Sequence, residues 1–321
     1  MPDSEQPQPV TVDTFVRAET DRYFAQFAAA GLGVMHHRRR LPSVTDQQVV
    51  RMNLDTLYST GVFDLDASPV TVSLPDAGGR YLSLQPISQD HFTSGCLYGR
   101  GPFTFTRDSV GTRYGGLLVR TFVDARDPDD LSAVHELQDA IVVEQEARGS
   151  FEVPRWDPTT LDTVRRTLLR VAPSLRAGVG FGTREEVDPV HHLVLTAAGW
   201  GGNTARDATY EGGFPGDNDG LTPYRLTVGD VPVDGFWSIT VYDEQGYLAA
   251  NPENRYSVNG VTAVPDPSGT VTVQFGGSQA DAPNWLPVPP HWNYVVRLYQ
   301  PRPEILQGSW VFPAARPALA T

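Results

Sequence analysis

Hydrophobic and polar positions along this 321-residue chain change period several times, and each change marks an element. From about Asp13 to Ala30, Val16, Tyr23, Phe24 and Phe27 recur at helical spacing, which predicts a helix capped by Asp13 and stopped by Gly31 and Gly33. From Val62 to Val123 the period drops to two, in Val70-Val72-Leu74, Leu82-Leu84 and Phe103-Phe105, and these runs predict strands. Turn-forming stretches at 75–79, 99–102 and 114–116 separate them at short intervals, so the pairing is expected to be antiparallel. Helical spacing returns between Asp127 and Gly199. Asp127-Pro128, Asp157-Pro158 and Asp188-Pro189 each open a segment, and Thr183 to Glu186 fits a capping box just before the third. After Tyr224, period-two runs resume at 236–242, 270–275 and 292–299.

These patterns predict a mainly β protein with α: two antiparallel β-sandwich domains joined by a helical segment. The expected division is a disordered lead over 1–10, a helix plus sandwich over 11–126, a helical connection over 127–199, and a second sandwich over 200–321. Hydrophobic residues at 40% and charged residues at 20% are ordinary for a folded protein, so the chain is expected to bury its own core.

Charge narrows the partners. A formal net charge of −13 opposes binding to a nucleic-acid backbone or an anionic membrane, and favours a neutral or cationic small molecule. Monomer and homo-oligomer are both compatible with this composition. Cys96 is the single cysteine, so no internal disulfide or thiolate cluster forms within one chain. Met1 to Pro9 lacks the basic and apolar regions of a signal peptide, and no apolar run is long enough to span a bilayer; a cytoplasmic location is the expectation.

Standard chemical signatures are incomplete. His135-Glu136 begins a zincin-like helix, but Asp139 stands where the second histidine belongs. Asp217-Asn218-Asp219-Gly220 begins like a calcium loop, yet Val228 replaces its bidentate glutamate. Gly178 to Gly182 is one residue short of a dinucleotide fingerprint and follows a helix, and neither a G-x-S-x-G elbow nor a P-loop occurs.

Three polar clusters carry the remaining chemistry. Arg51-Met52-Asn53-Leu54-Asp55-Thr56-Leu57-Tyr58 sets a carboxylate among apolar neighbours, where desolvation would raise its pKa and suit it to general-base work. Equally, Asp55 reads as a buried carboxylate that ties down backbone amides. Ser88 to Thr93 places Asp90 beside His91, as an acid–base pair, as metal ligands, or as a satisfied strand-end turn. His36-His37 and His191-His192 are weaker candidates. The C-terminal cluster comprises Asn254, Arg255, Tyr256 and Trp285, with Trp237 and Tyr242 in the preceding strand; it reads as a ligand-binding rim or as loop tethers and core aromatics.

The stretches R-M-N-L-D-T-L-Y-S at 51–59, L-P-D-A-G-G-R-Y at 74–81 and Q-D-H at 89–91 resemble "domain of unknown function 1254". F-W-S-I-T-V-Y-D at 236–243, N-P-E-N-R-Y-S-V at 251–258, N-W-L-P at 284–287 and Y-V-V-R-L-Y at 294–299 resemble "domain of unknown function 1214". The resemblance covers about residues 11 to 313 and implies two sandwiches, the second jelly-roll-like. Leu54 stands where such proteins usually carry a basic residue, which implies a less charged site.

Two functions compete. One is a cofactor-independent hydrolase of a small organic molecule, with Asp55 as base, Tyr58 as proton donor or oxyanion stabiliser and His91 as auxiliary acid–base, and with Arg51, Asn53 and the C-terminal cluster holding substrate. The other is a non-catalytic binder of a carbohydrate or other small ligand, stacking it on Trp237, Tyr256 and Trp285. A divalent metal, where one binds, would draw on Asp55, Asp90 and His91.

Overall fold

The structure, a computed structural model, describes residues 6–47, 50–175, 179–278 and 282–318; residues 1–5 of the expected lead and Gly178 of the glycine run lie outside them. The chain divides into two compact units. The first takes 1–39, 57–123 and 127–204, and the second takes 40–56, 124–126 and 205–321.

In the first unit, helix α1 (Phe15–Ala30) starts after Thr14 without a side-chain cap, so Asp13 does not cap it; Gly31, at φ 146°, ends it as expected. Strands β1 (His36–His37), β2 (Thr56–Asp64), β4 (Leu82–Ser88), β5 (Leu97–Tyr98) and β7 (Tyr114–Phe122) form one sheet in the order β1-β2-β7-β4-β5. Strands β3 (Val70–Ser73), β6 (Phe103–Phe105) and β8 (Val142–Gln145) form a second, ordered β6-β3-β8. Phe63, Leu84, Leu117 and Val119 from the first sheet meet Val70, Val72 and Phe105 from the second in one core, which makes this a sandwich. Strand β8 interrupts the expected helical segment. It pairs with β3 at a sheet edge, where Val143 packs on the core and Val142 is exposed, so the run Val-Val-Glu-Gln carries no apolar–polar alternation to read from sequence.

The three Asp-Pro signals each open a helix: α3 (Pro128–Asp139), α4 (Pro158–Val171) and α5 (Pro189–Gly199), with Asp127, Asp157 and Asp188 accepting backbone N–H bonds. These helices belong to the first unit rather than linking two domains. Their apolar faces explain this: Leu161, Leu168 and Val194 pack against Phe15 and Ala18 of α1. Of the expected disordered lead, Val10 is buried in that cluster and Gln8 donates its N–H to Arg155 O, so residues 6–10 are held in place. Thr183 to Glu186 forms a turn, whereas a full capping box sits at Thr106 and Ser109, on the short helix α2 (Arg107–Val110).

The second unit is a sandwich of two four-stranded sheets. One runs β14 (Trp285–Leu286), β13 (Val271–Phe275), β10 (Tyr224–Val228), β16 (Arg316–Pro317); the other runs β12 (Ser257–Asn259), β11 (Trp237–Tyr242), β15 (Asn293–Tyr299), β9 (Ala208–Gly213). Pairing is antiparallel apart from β13 with β14. Trp237, Ile239, Val241, Tyr294, Val296 and Leu298 face the core with Leu226, Val273 and Phe275. The alternate residues of β11 and β15 are buried too, because Val44 and Leu54 pack on Tyr242 and Val295 from outside. No helix among the described residues is long and apolar enough to cross a membrane.

Candidate functional site

The first polar cluster is divided between the units, with residues 51–56 in the second and Tyr58 in the first. Residues 51–56 lie along the outer, polar face of β11 and β15. Arg297, on β15, donates to Arg51 O at 2.8 Å, to Tyr242 Oη at 2.6 Å and to Thr240 Oγ1 at 3.0 Å. Tyr242 Oη donates in turn to Met52 O at 2.8 Å. Asn53 donates to Tyr299 Oη at 3.0 Å and to Thr56 Oγ1 at 2.9 Å, while its Oδ1 accepts the Asp55 N–H at 2.8 Å. Arg51, at φ 55°, donates to Asn293 Oδ1 at 2.6 Å. The stretch is therefore a strap: its carbonyls and amides satisfy a polar sheet face that would otherwise be wet.

Asp55 is fully buried beneath this strap. Its Oδ1 accepts from Asn259 Nδ2 at 3.3 Å, whereas Oδ2 makes no hydrogen bond of normal geometry. Burial pushes its carboxyl up, and the nearby Ser238 hydroxyl, the Arg297 guanidinium and Asn259 offset this in part. Arg297 also resists desolvation: burial pulls its pKa down, but Tyr242, Tyr299 and Asp55 outweigh it and the guanidinium stays charged. The raised carboxyl pKa matches the sequence expectation for a base, yet the group sits in a packed interior, next to a cation that holds the sheet.

The C-terminal cluster is likewise structural. Trp237 is a core residue, and a Cβ at Gly260 would come 2.4 Å from its Nε1. Trp285 is buried with its Nε1–H donated to Gly276 O at 2.9 Å. Arg255 donates to Pro283 O at 3.0 Å, Tyr256 packs on Tyr242 and Leu248, and Asn254 takes φ 51° in a turn closed by its N–H to Asn251 O. Trp237 and Trp285 are buried, as bulky aromatic side chains at core-facing strand positions are.

In the first unit, His91 is 2% exposed and both its ring nitrogens are occupied. The Thr196 hydroxyl donates to His192 O at 2.7 Å, so His91 Nδ1–H donates to Thr196 Oγ1 at 2.8 Å. Nε2 accepts the Gly201 N–H at 2.8 Å. Burial, with a smaller contribution from His192, pulls its pKa down to about 3, so the ring is neutral and does not exchange protons near neutrality. In this arrangement the histidine after the strand end ties the loop at 91 to α5 and to Gly201. Tyr58 lies against the guanidinium of Arg120 at 5.4 Å, and Arg120 in turn donates to Gln85 Oε1 at 2.7 Å and to Gly201 O at 2.5 Å. The His37 ring pairs with Ser59 Oγ at 2.7 Å. Asp90 pairs with Arg17 at 2.6 Å and lies 3.6 Å from Arg184. Among the described residues, no group of three His, Cys, Asp or Glu is arranged to hold a metal ion.

What the first unit does offer is a cleft of about 310 Å³ beside that second cluster. Ser88, Thr93, Ser94 and Thr183 contribute hydroxyls to its walls, and Asp90, Asp108 and Glu185 contribute carboxylates. Its cation is Arg184, whose side chain is 69% exposed and lies 4.6 Å over the Phe92 ring. Phe92 stacks on His192 at 4.6 Å and 7°, and the His192 nitrogens lie 3.0 Å from Gly180 O and 2.9 Å from Asp90 O. The guanidinium thus caps a fixed pile of rings. Sequence reading found the Ser88 to Thr93 run but missed Arg184, whose one signal was its place in the Thr183 to Glu186 turn.

Residues 32–94 match the family described as "Protein of unknown function (DUF1254)", and residues 211–303 match "Protein of unknown function (DUF1214)". Both fall in the order read from the motifs. No curated protein matches. Among solved structures, the VPA0106 protein from Vibrio parahaemolyticus is similar with a TM-score of 0.72 at 19% identity, over 96% of this chain and 97% of that one. A putative uncharacterized protein from Burkholderia cenocepacia is similar with a TM-score of 0.54 at 15% identity, over 94% and 86%. At these identities the likeness is one of fold.

Proposed function

From the premise that the chain joins the two family segments of unknown function 1254 and 1214, which assign no reaction, we propose that it is a non-catalytic binding protein for a small hydroxyl-rich ligand of the carbohydrate type, held in the first-unit cleft. The observation that carries this reading is the exposed Arg184 guanidinium, fixed over Phe92 at the rim of walls rich in hydroxyls and carboxylates. Such groups donate and accept hydrogen bonds to vicinal hydroxyls, and a pre-positioned guanidinium loses little freedom on binding. Three carboxylates against one lining cation also fit a neutral ligand better than an anionic one. The hydrolase reading has less support, since His91 is neutral and saturated and Asp55 is buried under its strap.

Calorimetric titration of the full chain with glucose, maltose and myo-inositol tests the proposal. At least one should bind with Kd in the millimolar range or tighter, and Arg184→Ala should weaken it by about tenfold. No saturable heat from any of the three, or unchanged affinity in Arg184→Ala, overturns it. Chemical conversion of the ligand during the titration would restore the enzyme reading.

A further inference from the structure

A second concave feature, in the other unit, suggests a different ligand. At the β9 edge of the second sandwich lies a cavity of about 210 Å³, bordered by Glu211, Phe214, Tyr294, Phe312 and Pro313. Glu211 pairs with Val296 and Gly213 with Tyr294 across the β9–β15 ladder, so both β9 residues face inward with the core residues of β15. Gly213 is required there: a Cβ would fall 1.9 Å from Tyr294 Cζ, and its absence lets the ring lie across the edge strand. The hydroxyl of that ring accepts the Ala315 N–H at 3.0 Å, which fixes the ring and leaves its own proton to donate.

Among the described residues the Glu211 carboxylate makes no hydrogen bond and no ion pair, although it is half-buried on an inward face. Carboxylates in such positions are ordinarily paired, because their desolvation is otherwise unrepaid. We propose that this cavity binds a small organic ammonium ion, its N–H groups donating to Glu211 and its carbon body resting against the Tyr294, Phe312 and Phe214 rings. A cation over aromatic faces and beside a carboxylate gains from both, and the net charge of −13 raises its local concentration. At about 210 Å³ the volume lies below the roughly 300–1,000 Å³ of drug-sized sites, which restricts the ligand to a short alkyl or single-ring amine. Burial already pushes the Glu211 carboxyl up, as expected of a carboxylate lacking its cation.

The probes are n-butylammonium and benzylammonium chlorides, with n-butanol and benzyl alcohol as neutral counterparts, titrated into the full chain by calorimetry. The amines should bind saturably, the alcohols at least about tenfold more weakly, and Glu211→Gln should lose about tenfold for the amines alone. NMR cross-relaxation in the wild type, between benzylammonium ring protons and Tyr294 and Phe312, locates the site without recourse to a variant. Equal affinity for amine and alcohol, unchanged affinity in a folded Glu211→Gln, or cross-relaxation from other residues would each overturn the assignment. Binding of a lysine-rich peptide without binding of either free amine would overturn the small-molecule reading as well. The cleft near Arg184 is a separate feature, so loss of sugar binding there has no bearing on this outcome.

Discussion

Replacing Arg297 by methionine removes the cation that joins the 51–56 strap to β15. Arg297 is 3% exposed, and its guanidinium donates to Thr240, Arg51 O and Tyr242. Hydrogen bonds from charged groups contribute about 1.5–3 kcal/mol each when deleted singly, but three on one side chain do not add. The better guide is the removal of one of two buried, electrostatically coupled charges, about 3–5 kcal/mol, since Asp55 loses the cation that favours its charged form. Arg297→Met should therefore destabilise the second unit by about 3–5 kcal/mol in urea titrations, lowering its thermal midpoint by roughly 6–20 °C. Arg297→Lys keeps the charge but not the fork, and should fall between. Adding Asp55→Asn to Arg297→Met should recover at least about 1 kcal/mol, because the stranded carboxylate is then gone. A loss under about 1 kcal/mol for Arg297→Met, or no recovery in the double variant, would refute the account of a strap held by buried charge.

Three further outcomes follow. His91 has its folded pKa lowered from 6.5 to about 3, so its contribution is complete above pH 6.5 and is lost as pH falls toward 3; relative to His91→Gln, the wild type should lose about 2 kcal/mol between pH 7 and pH 5 in urea titrations. Gly116→Ala would place a Cβ 2.3 Å from Phe24 Cε1, and calorimetry should show a destabilisation of about 1–3 kcal/mol from overpacking. Asn284→Ala removes bonds to Val264 N, Val264 O and Thr272 O and strands buried backbone groups, so a cost of about 2–4 kcal/mol is expected in denaturant melts, with ligand heats at the Arg184 cleft unchanged.

The mainly β architecture was legible because strands with one face in a core alternate, as β3, β10 and β13 do, and because aspartate before proline is a strong local signal for a helix start. The edge strand β8 was not legible, since an apolar Val142 stands on its exposed side next to the inward Val143 and hides the alternation. The unit boundaries were hidden for another reason. Nothing local in residues 40–56 says that they pack on strands more than 180 positions later, and the only sign was a dense polar motif that read equally well as chemistry. Asp55, Tyr58 and His91 shared the composition of a site, but composition does not reveal burial such as that of Asp55 or the occupation of both ring nitrogens of His91. Glu211 stood in unremarkable sequence and Arg184 in a stretch read only as a helix cap, and both were found through the shape around them.

The discontinuous second unit bears on how the protein is made. Its strap leaves the ribosome some 150 residues before β9, the first strand of the sheets to which it belongs, and it must wait, unpaired, until β11 and β15 exist. Through that interval the nascent chain exposes Leu54 and an unmatched Asp55. Expression of residues 205–321 alone would leave Arg297 and Tyr242 facing water where Arg51 and Met52 should be. A gene split at the apparent boundary should therefore yield an unstable C-terminal fragment, and adding a synthetic 40–56 peptide in trans should restore it.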